Sequence, residues 1–319
     1  MIKRIAEMLS YMRPAYSKMD ETFITKYIEP VGIFDDEAGN LIKIIGDDPE
    51  VMWSCHTDTV HMVSGTQSVK TKGQYITLNE KDSNCLGADD TAGVWLMLEL
   101  IHAGKEGLYV FHRAEEDGGK GSSYIQRYTP ELLKGIKYAI ALDRKGTRDV
   151  ITHQMSGRCC SDEFAESLAE GLDMKFRPSD GGTFTDTANY TDIVGECTNL
   201  SVGYDNQHSA KEVLDVAFLI NLRKHLLELD YTKLVSKRKA GEVDPDDYNR
   251  WSRLWDTATG VTSSVKHHVV NVEDTWSRCE TLEDFALEYP DIVAKLMNDY
   301  GITAENVRDE VYIQTGELA

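Results

Sequence analysis

An α/β protein with a mixed, mostly parallel sheet flanked by helices is the fold this chain predicts, and two observations predict it. Short apolar runs alternate with segments of helical periodicity from residue 1 to about 235. That alternation is the signature of strand–helix–strand units. Histidines and carboxylates gather where the apolar runs stop, and in an open α/β sheet the functional loops lie beyond the carboxyl ends of the strands.

The elements follow in order. Residues 1–12 read as a surface helix. The run at 51–55 is a strand that ends at His56. Residues 90–103 carry Val94, Met97, Leu98 and Ile101 at helical spacing and close with Gly104. A strand at 108–112 stops just before Glu115-Glu116, and residues 121–133 read as helix. The strand at 138–142 ends at Asp143; helices are expected at 162–172 and 211–229. Together these form one domain over 1–235, with 236–319 a small, mainly helical appendage. The appendage begins with a linker-like Lys237-Arg238-Lys239-Ala240-Gly241 and Asp244-Pro245-Asp246-Asp247. Beyond it, Trp251, Trp255 and Trp276 argue for packing, and a helix at 282–300 restarts near Pro290. His267 and His268 are adjacent, so in a strand they would point to opposite sides; they read as surface residues.

The chain is long enough to bury a core, and 41% hydrophobic with 28% charged residues is a soluble globular balance. A net charge of −20 repels nucleic acid and anionic membranes, so neither is an expected partner. No apolar stretch is long enough to span a bilayer, and the first twelve residues make no signal-peptide core. Six cysteines without a Cys-x-x-Cys pair fit a reducing cytosol, and Cys55 reads as a core residue.

Five residues form a metal-ligand constellation: His56, Asp89, Glu116, Asp143 and His208. Three carboxylates and two imidazoles suit two neighbouring zinc ions if one carboxylate bridges them. Asp58, in His56-Thr57-Asp58, can brace the imidazole. The small residues of Gly87-Ala88-Asp89-Asp90-Thr91-Ala92-Gly93 let backbone and metal approach closely. The paired Glu115-Glu116 permits one to bind metal while the other takes a proton from the attacking water.

With these motifs in this order, the chain resembles the co-catalytic zinc exopeptidases, which include aminopeptidases, peptidase T-like tripeptidases, carboxypeptidases and deacylases. The matching pieces are His56-Thr57-Asp58, residues 86–93, Glu115-Glu116, Asp143 and His208; residues 32–41 look like the family's lead-in strand. The resemblance implies that Asp89 bridges two ions, one completed by His56 and Asp143, the other by Glu116 and His208. It implies Glu115 as general base and Asp58 as the partner of His56. Zinc is the expected metal, with cobalt or manganese possible. The implied activity is removal of N-terminal residues from short peptides; an N-acyl amino acid deacylase or carboxypeptidase, or a non-catalytic binding protein keeping the fold, are the alternatives. Gaps of 33 positions from His56 to Asp89 and 65 from Asp143 to His208 leave no room for an inserted lid domain. Tyr204 is either a carbonyl-polarising group or a core tyrosine; Arg144 either meets a substrate carboxylate or is a plain surface arginine.

Overall fold

In the computed structural model, the described residues are 1–79, 83–154, 157–245 and 247; the chain divides into compact units at Met1–Trp251 and Ser252–Ala319. The expected tryptophan-rich helical segment, Pro290 and the His267-His268 pair lie outside the described residues.

The centre of the first unit is an eight-stranded sheet. Its strands, from one edge to the other, are Arg177–Ser179, Asp149–Ile151, Glu196–Ser201, Tyr138–Arg144, Val51–His56, Gly107–His112, Leu41–Ile45 and Phe34–Asp35. The four middle strands, from Glu196–Ser201 to Gly107–His112, are mutually parallel. Antiparallel strands complete one side at Leu41–Ile45 and Phe34–Asp35. The parallel strands are buried along their length except at Arg144, as a sheet covered on both faces requires.

Helices α1 (Ile2–Met8), α2 (Lys18–Phe23), α3 (Ala88–His102), α4 (Lys120–Tyr128), α5 (Asp162–Leu172) and α6 (Val216–Glu228) surround the sheet. In α3 almost every side chain is buried, so it is the central covering helix rather than an amphipathic surface one. Its Trp95 is fully buried in the larger core cluster, which also holds Trp53 and Phe111, and truncating such a residue to alanine costs about 3–5 kcal/mol.

Several expectations shift. The N-terminal helix is only Ile2–Met8, with Ile5 and Met8 buried in the core, so it is not a simple surface helix. The helix expected at 211–229 starts at Val216, where Asp215 caps it by accepting from the Phe218 N–H. The residues before it form a strand, Val213–Asp215, of a second, four-stranded antiparallel sheet with Tyr204–Asp205, Tyr75–Leu78 and Val69–Lys72. Residues 237–241 form a loop held to the first unit: the Lys237 and Arg238 N–H groups donate to Glu196 Oε1, and buried Arg238 donates to the Thr191 and Gly195 carbonyls.

Candidate active site

His56 and Asp143 stand at the carboxyl ends of neighbouring parallel strands. Asp89 reaches them from the start of α3 because the turn ahead of that helix is made of small residues. Gly87 has φ +73°, open to glycine at little cost, and a Cβ on Gly93 would fall 2.3 Å from the Leu142 carbonyl oxygen. Helix and strand end therefore meet backbone to backbone, which sets Asp89 beside Asp143. The Asp89–Asp90 peptide bond is cis.

The predicted ligands converge in two groups that share one carboxylate. His56 Nε2 lies 3.1 Å from Asp89 Oδ1 and 3.5 Å from Asp143 Oδ1. His208 Nε2 lies 3.2 Å from Asp89 Oδ2 and 2.8 Å from Glu116 Oε1. In each group the candidate ligand atoms fall within 4.8 Å of one another, as they do in a third grouping of His56, Glu115 and Glu116. Glu115 thus sits against both groups.

Two observations show that a cation suits this arrangement. The Nδ1 side of His56 is occupied by Asp58, with the carbonyl at 3.1 Å and Oδ1 at 3.4 Å. A proton on Nδ1 leaves the Nε2 lone pair facing two carboxylates, a repulsive contact unless a cation stands between. Glu116 Oε1 is likewise buried and accepts no hydrogen bond, His208 Nε2 lying close but outside hydrogen-bonding geometry. Buried polar atoms are rarely left so, and the donor set of imidazole nitrogens and carboxylate oxygens is one that zinc accepts.

The titration pattern reflects crowded charge. Burial, then the neighbouring Asp89, pushes the Asp143 carboxyl up to about 6. Burial likewise raises Glu115 well above the ordinary range. For Asp89, burial is outweighed by the adjacent imidazoles of His208 and His56, which hold it low. His208 is raised to about 10 by Asp89 and Glu116.

Supporting residues hold the candidate ligands in place. Fully buried Asp58 accepts from the Glu115 N–H through Oδ1 and the Glu116 N–H through Oδ2, tying the His56 strand to the glutamate loop. Asp143 receives Thr185 Oγ1 at 2.7 Å and the Tyr204 hydroxyl at 3.1 Å, and Asn199 bonds its backbone on both sides. The Tyr204 hydroxyl is therefore engaged in positioning Asp143, and its ring is buried. Arg144 is held by Asp149, to which Nε and Nη2 both donate.

Sequence reasoning missed two supports. Buried Glu212 accepts from the Leu86, Gly87 and Asp89 N–H groups and so fixes the turn that presents Asp89. Arg13 is completely buried, donating Nε to the Thr57 carbonyl and Nη2 to Thr91 Oγ1, with its guanidinium over the Phe23 ring. Its charge acts on Asp20, Asp58 and Asp90. Neither residue lies in a periodic pattern that would expose it. Cys55 is buried, as expected, and burial raises its thiol pKa.

The cluster opens into a cleft of about 340 Å³, lined also by Arg144, Lys145, Ile151, Gln154, Asn199, Gln207 and residues 182–184.

A family model described as Peptidase family M28 matches residues 40–187, a span that holds every predicted ligand except His208. Among solved structures, aminopeptidase PepT from Bacillus cereus is 16% identical, with a TM-score of 0.59 over 72% of this chain and 96% of that one. A tripeptidase from Staphylococcus aureus is 15% identical, TM-score 0.58, over 72% and 96%. The TET1 peptidase of Pyrococcus horikoshii, which can assemble into a tetrahedron or a large octahedral shell, is 17% identical, TM-score 0.54, over 72% and 98%. A comparison with curated proteins finds no match. The family match and the shared fold bear out the resemblance to co-catalytic zinc exopeptidases and the mixed α/β architecture.

Proposed function

We propose that this chain, a metal-dependent peptidase by its family match and fold, removes N-terminal residues from short peptides with two divalent ions and Glu115 as general base. The observation that carries the reading is Asp89: its two carboxylate oxygens face different histidines, one in each ligand group. That is the arrangement a bridging carboxylate needs.

On this reading His56 and Asp143 hold one ion, Glu116 and His208 the other, and Asp89 both. Zinc fits the donor set; cobalt or manganese would occupy the same ligands. When bound, two such ions polarise the scissile carbonyl and lower the pKa of a water from ~16 to about 7. Glu115 takes the proton from the attacking water and delivers it to the leaving amine. Glu116 is the ligand of the pair because it, not Glu115, groups with Asp89 and His208. Asp58 keeps Nε2 of His56 facing inward and holds both glutamates by their backbone. Glu115 and Asp143 also supply the anionic surroundings that favour a free ammonium, so the substrate presents its N-terminus unblocked.

Among the described residues no helix is long and apolar enough to cross a membrane. The five described cysteines are free and buried, consistent with a reducing, cytosolic setting, which we propose. The acidic chain leaves short peptides rather than nucleic acid or membranes as partners.

The test compares trialanine with N-acetyl-trialanine in the presence of zinc, cobalt or manganese. Release of N-terminal alanine from the free peptide, with blocking sharply reducing cleavage, is expected. Equal or faster cleavage of the blocked peptide would replace this reading with a deacylase or carboxypeptidase.

A further inference from the structure

The cleft is not uniformly acidic. Lys145 lines it two residues beyond Asp143, just past the end of the Tyr138–Arg144 strand. Its backbone is fixed: Ser201 Oγ donates to the Lys145 carbonyl at 2.7 Å, and the next residue, Gly146, donates to the Tyr204 carbonyl at 2.7 Å and accepts from the Gly203 N–H at 2.9 Å. The same 201–204 segment supplies the Tyr204 hydroxyl that positions Asp143. The Lys145 side chain is exposed, and among the described residues its ammonium has no hydrogen bond or ion pair. The neighbouring cation differs: Arg144 is 14% exposed and already paired with Asp149. In a chain of net charge −20, an unpaired cation on a pinned backbone beside the reacting centre stands out from the acidic surroundings.

We infer that Lys145 forms a subsite for a carboxylate of the substrate, with Arg144, paired to Asp149, lining the same cleft. Asp143 and Lys145 are two positions apart, and two residues of extended chain span at most about 7 Å. A peptide also advances roughly 3.5 Å per residue. With the scissile carbonyl at the ligand cluster, a C-terminal carboxylate one or two residues beyond it comes within reach of Lys145. The substrates selected are therefore dipeptides and tripeptides with a free C-terminus. An acidic side chain on the substrate presents the same chemistry and is the other possible source of the carboxylate.

This inference rests on the peptidase reading, and the experiment separates the two. Steady-state kinetics compare trialanine with trialanine amide, and glutamyl-alanine amide with alanyl-alanine amide, for the wild type, Lys145→Met and Lys145→Arg. The free acid should be preferred on the order of tenfold, the worth of one charge-assisted contact, mainly through KM. Lys145→Met should raise KM for trialanine toward that of its amide, and Lys145→Arg should restore much of the difference. A Lys145-dependent preference for the glutamyl amide instead assigns the subsite to a side-chain carboxylate. Equal KM for acid and amide, with no glutamyl preference, overturns the subsite but leaves the peptidase reading intact, as does a preference that survives Lys145→Met. If no peptide is cleaved, the peptidase reading fails. Calorimetric binding of dialanine against its amide then still reads the subsite: a Lys145-dependent preference for the acid supports it, and equal binding overturns it.

Discussion

His56 and Asp143 stand on the ends of buried parallel strands, whereas His208 stands on the hairpin between Tyr204–Asp205 and Val213–Asp215 in the smaller sheet. His56 is 1% exposed and its side chain is backed by Asp58; the His208 side chain is 47% exposed and its backbone has φ +61°. A non-glycine residue in that left-handed region costs on the order of 1 kcal/mol or more and persists only where its surroundings hold it. Asp89 belongs to both halves. The inner half is preorganised by strand ends and three buried supports of Asp143, while the outer half depends on a loop. Preorganised ligands spend less entropy on binding, so the inner half should be the tighter metal site.

The largest expected effect breaks both halves together. Asp89→Ala should reduce bound metal at both positions and abolish peptide hydrolysis, measured by elemental analysis alongside turnover. Retention of one full-strength site would show that Asp89 does not bridge. Next in size is the division of labour between the adjacent glutamates. Glu115→Gln should lower kcat by about 10²–10⁴-fold, the usual worth of general acid–base catalysis, while metal content stays near normal. Glu116→Gln should lose metal instead. Exchanged phenotypes would mean the roles are reversed.

A third prediction sharpens the contrast itself. His56→Ala should weaken the tighter site and His208→Ala the weaker one. Asp58→Asn, which disturbs the inner histidine's brace, should cost about 10–100-fold in affinity, as loss of such partners typically does. Competition with a chelator reads each value. Equal affinities at the two positions would remove the distinction between halves.

How far the sequence revealed this contrast depends on the kind of signal each residue sends. His56 and Asp143 were legible because each follows an apolar run, and a strand end in an α/β sheet points to a rim. Asp89 was legible through its glycines and alanines, whose small size the contact between Gly93 and Leu142 explains. His208 could be placed only through its order among the motifs, since nothing periodic announces a two-residue strand such as Tyr204–Asp205. The Glu196–Ser201 strand escaped because buried Glu196, Thr198, Asn199 and Ser201 interrupt its apolar pattern. Those polar groups are satisfied by tertiary partners, as Glu196 is by Ser161 and the 237–238 backbone. Arg13 and Glu212 were invisible for the same reason.

The smallest predicted effect concerns the foundation of the inner half. His61 is buried next to the turn that presents Asp89, with Thr59 Oγ1 at 2.7 Å from Nδ1 and the Cys85 carbonyl at 3.1 Å from Nε2. Burial, followed by the charge of Arg13, lowers its pKa from 6.5 to about 4. Between those values the unfolded chain binds the extra proton, so stability rises with pH in this window. The contribution is complete above about pH 6.5 and disappears as pH falls toward 4. His61→Gln should reduce the loss of unfolding free energy between pH 7 and 4.5 by about 2 kcal/mol, with metal chelated in both proteins. Urea unfolding at the two pH values checks it, and an unchanged pH slope would show that His61 titrates normally in the folded chain.

The central claim is that two unequal ligand groups sharing Asp89 make a peptidase. Its most direct measurement is a zinc titration of chelated protein that follows bound metal and release of N-terminal alanine from trialanine in the same samples. The account predicts two ions per chain, bound in succession, with activity returning as metal is restored. Hydrolysis by the metal-free protein, or saturation with zinc and no hydrolysis of any unblocked peptide, would contradict it.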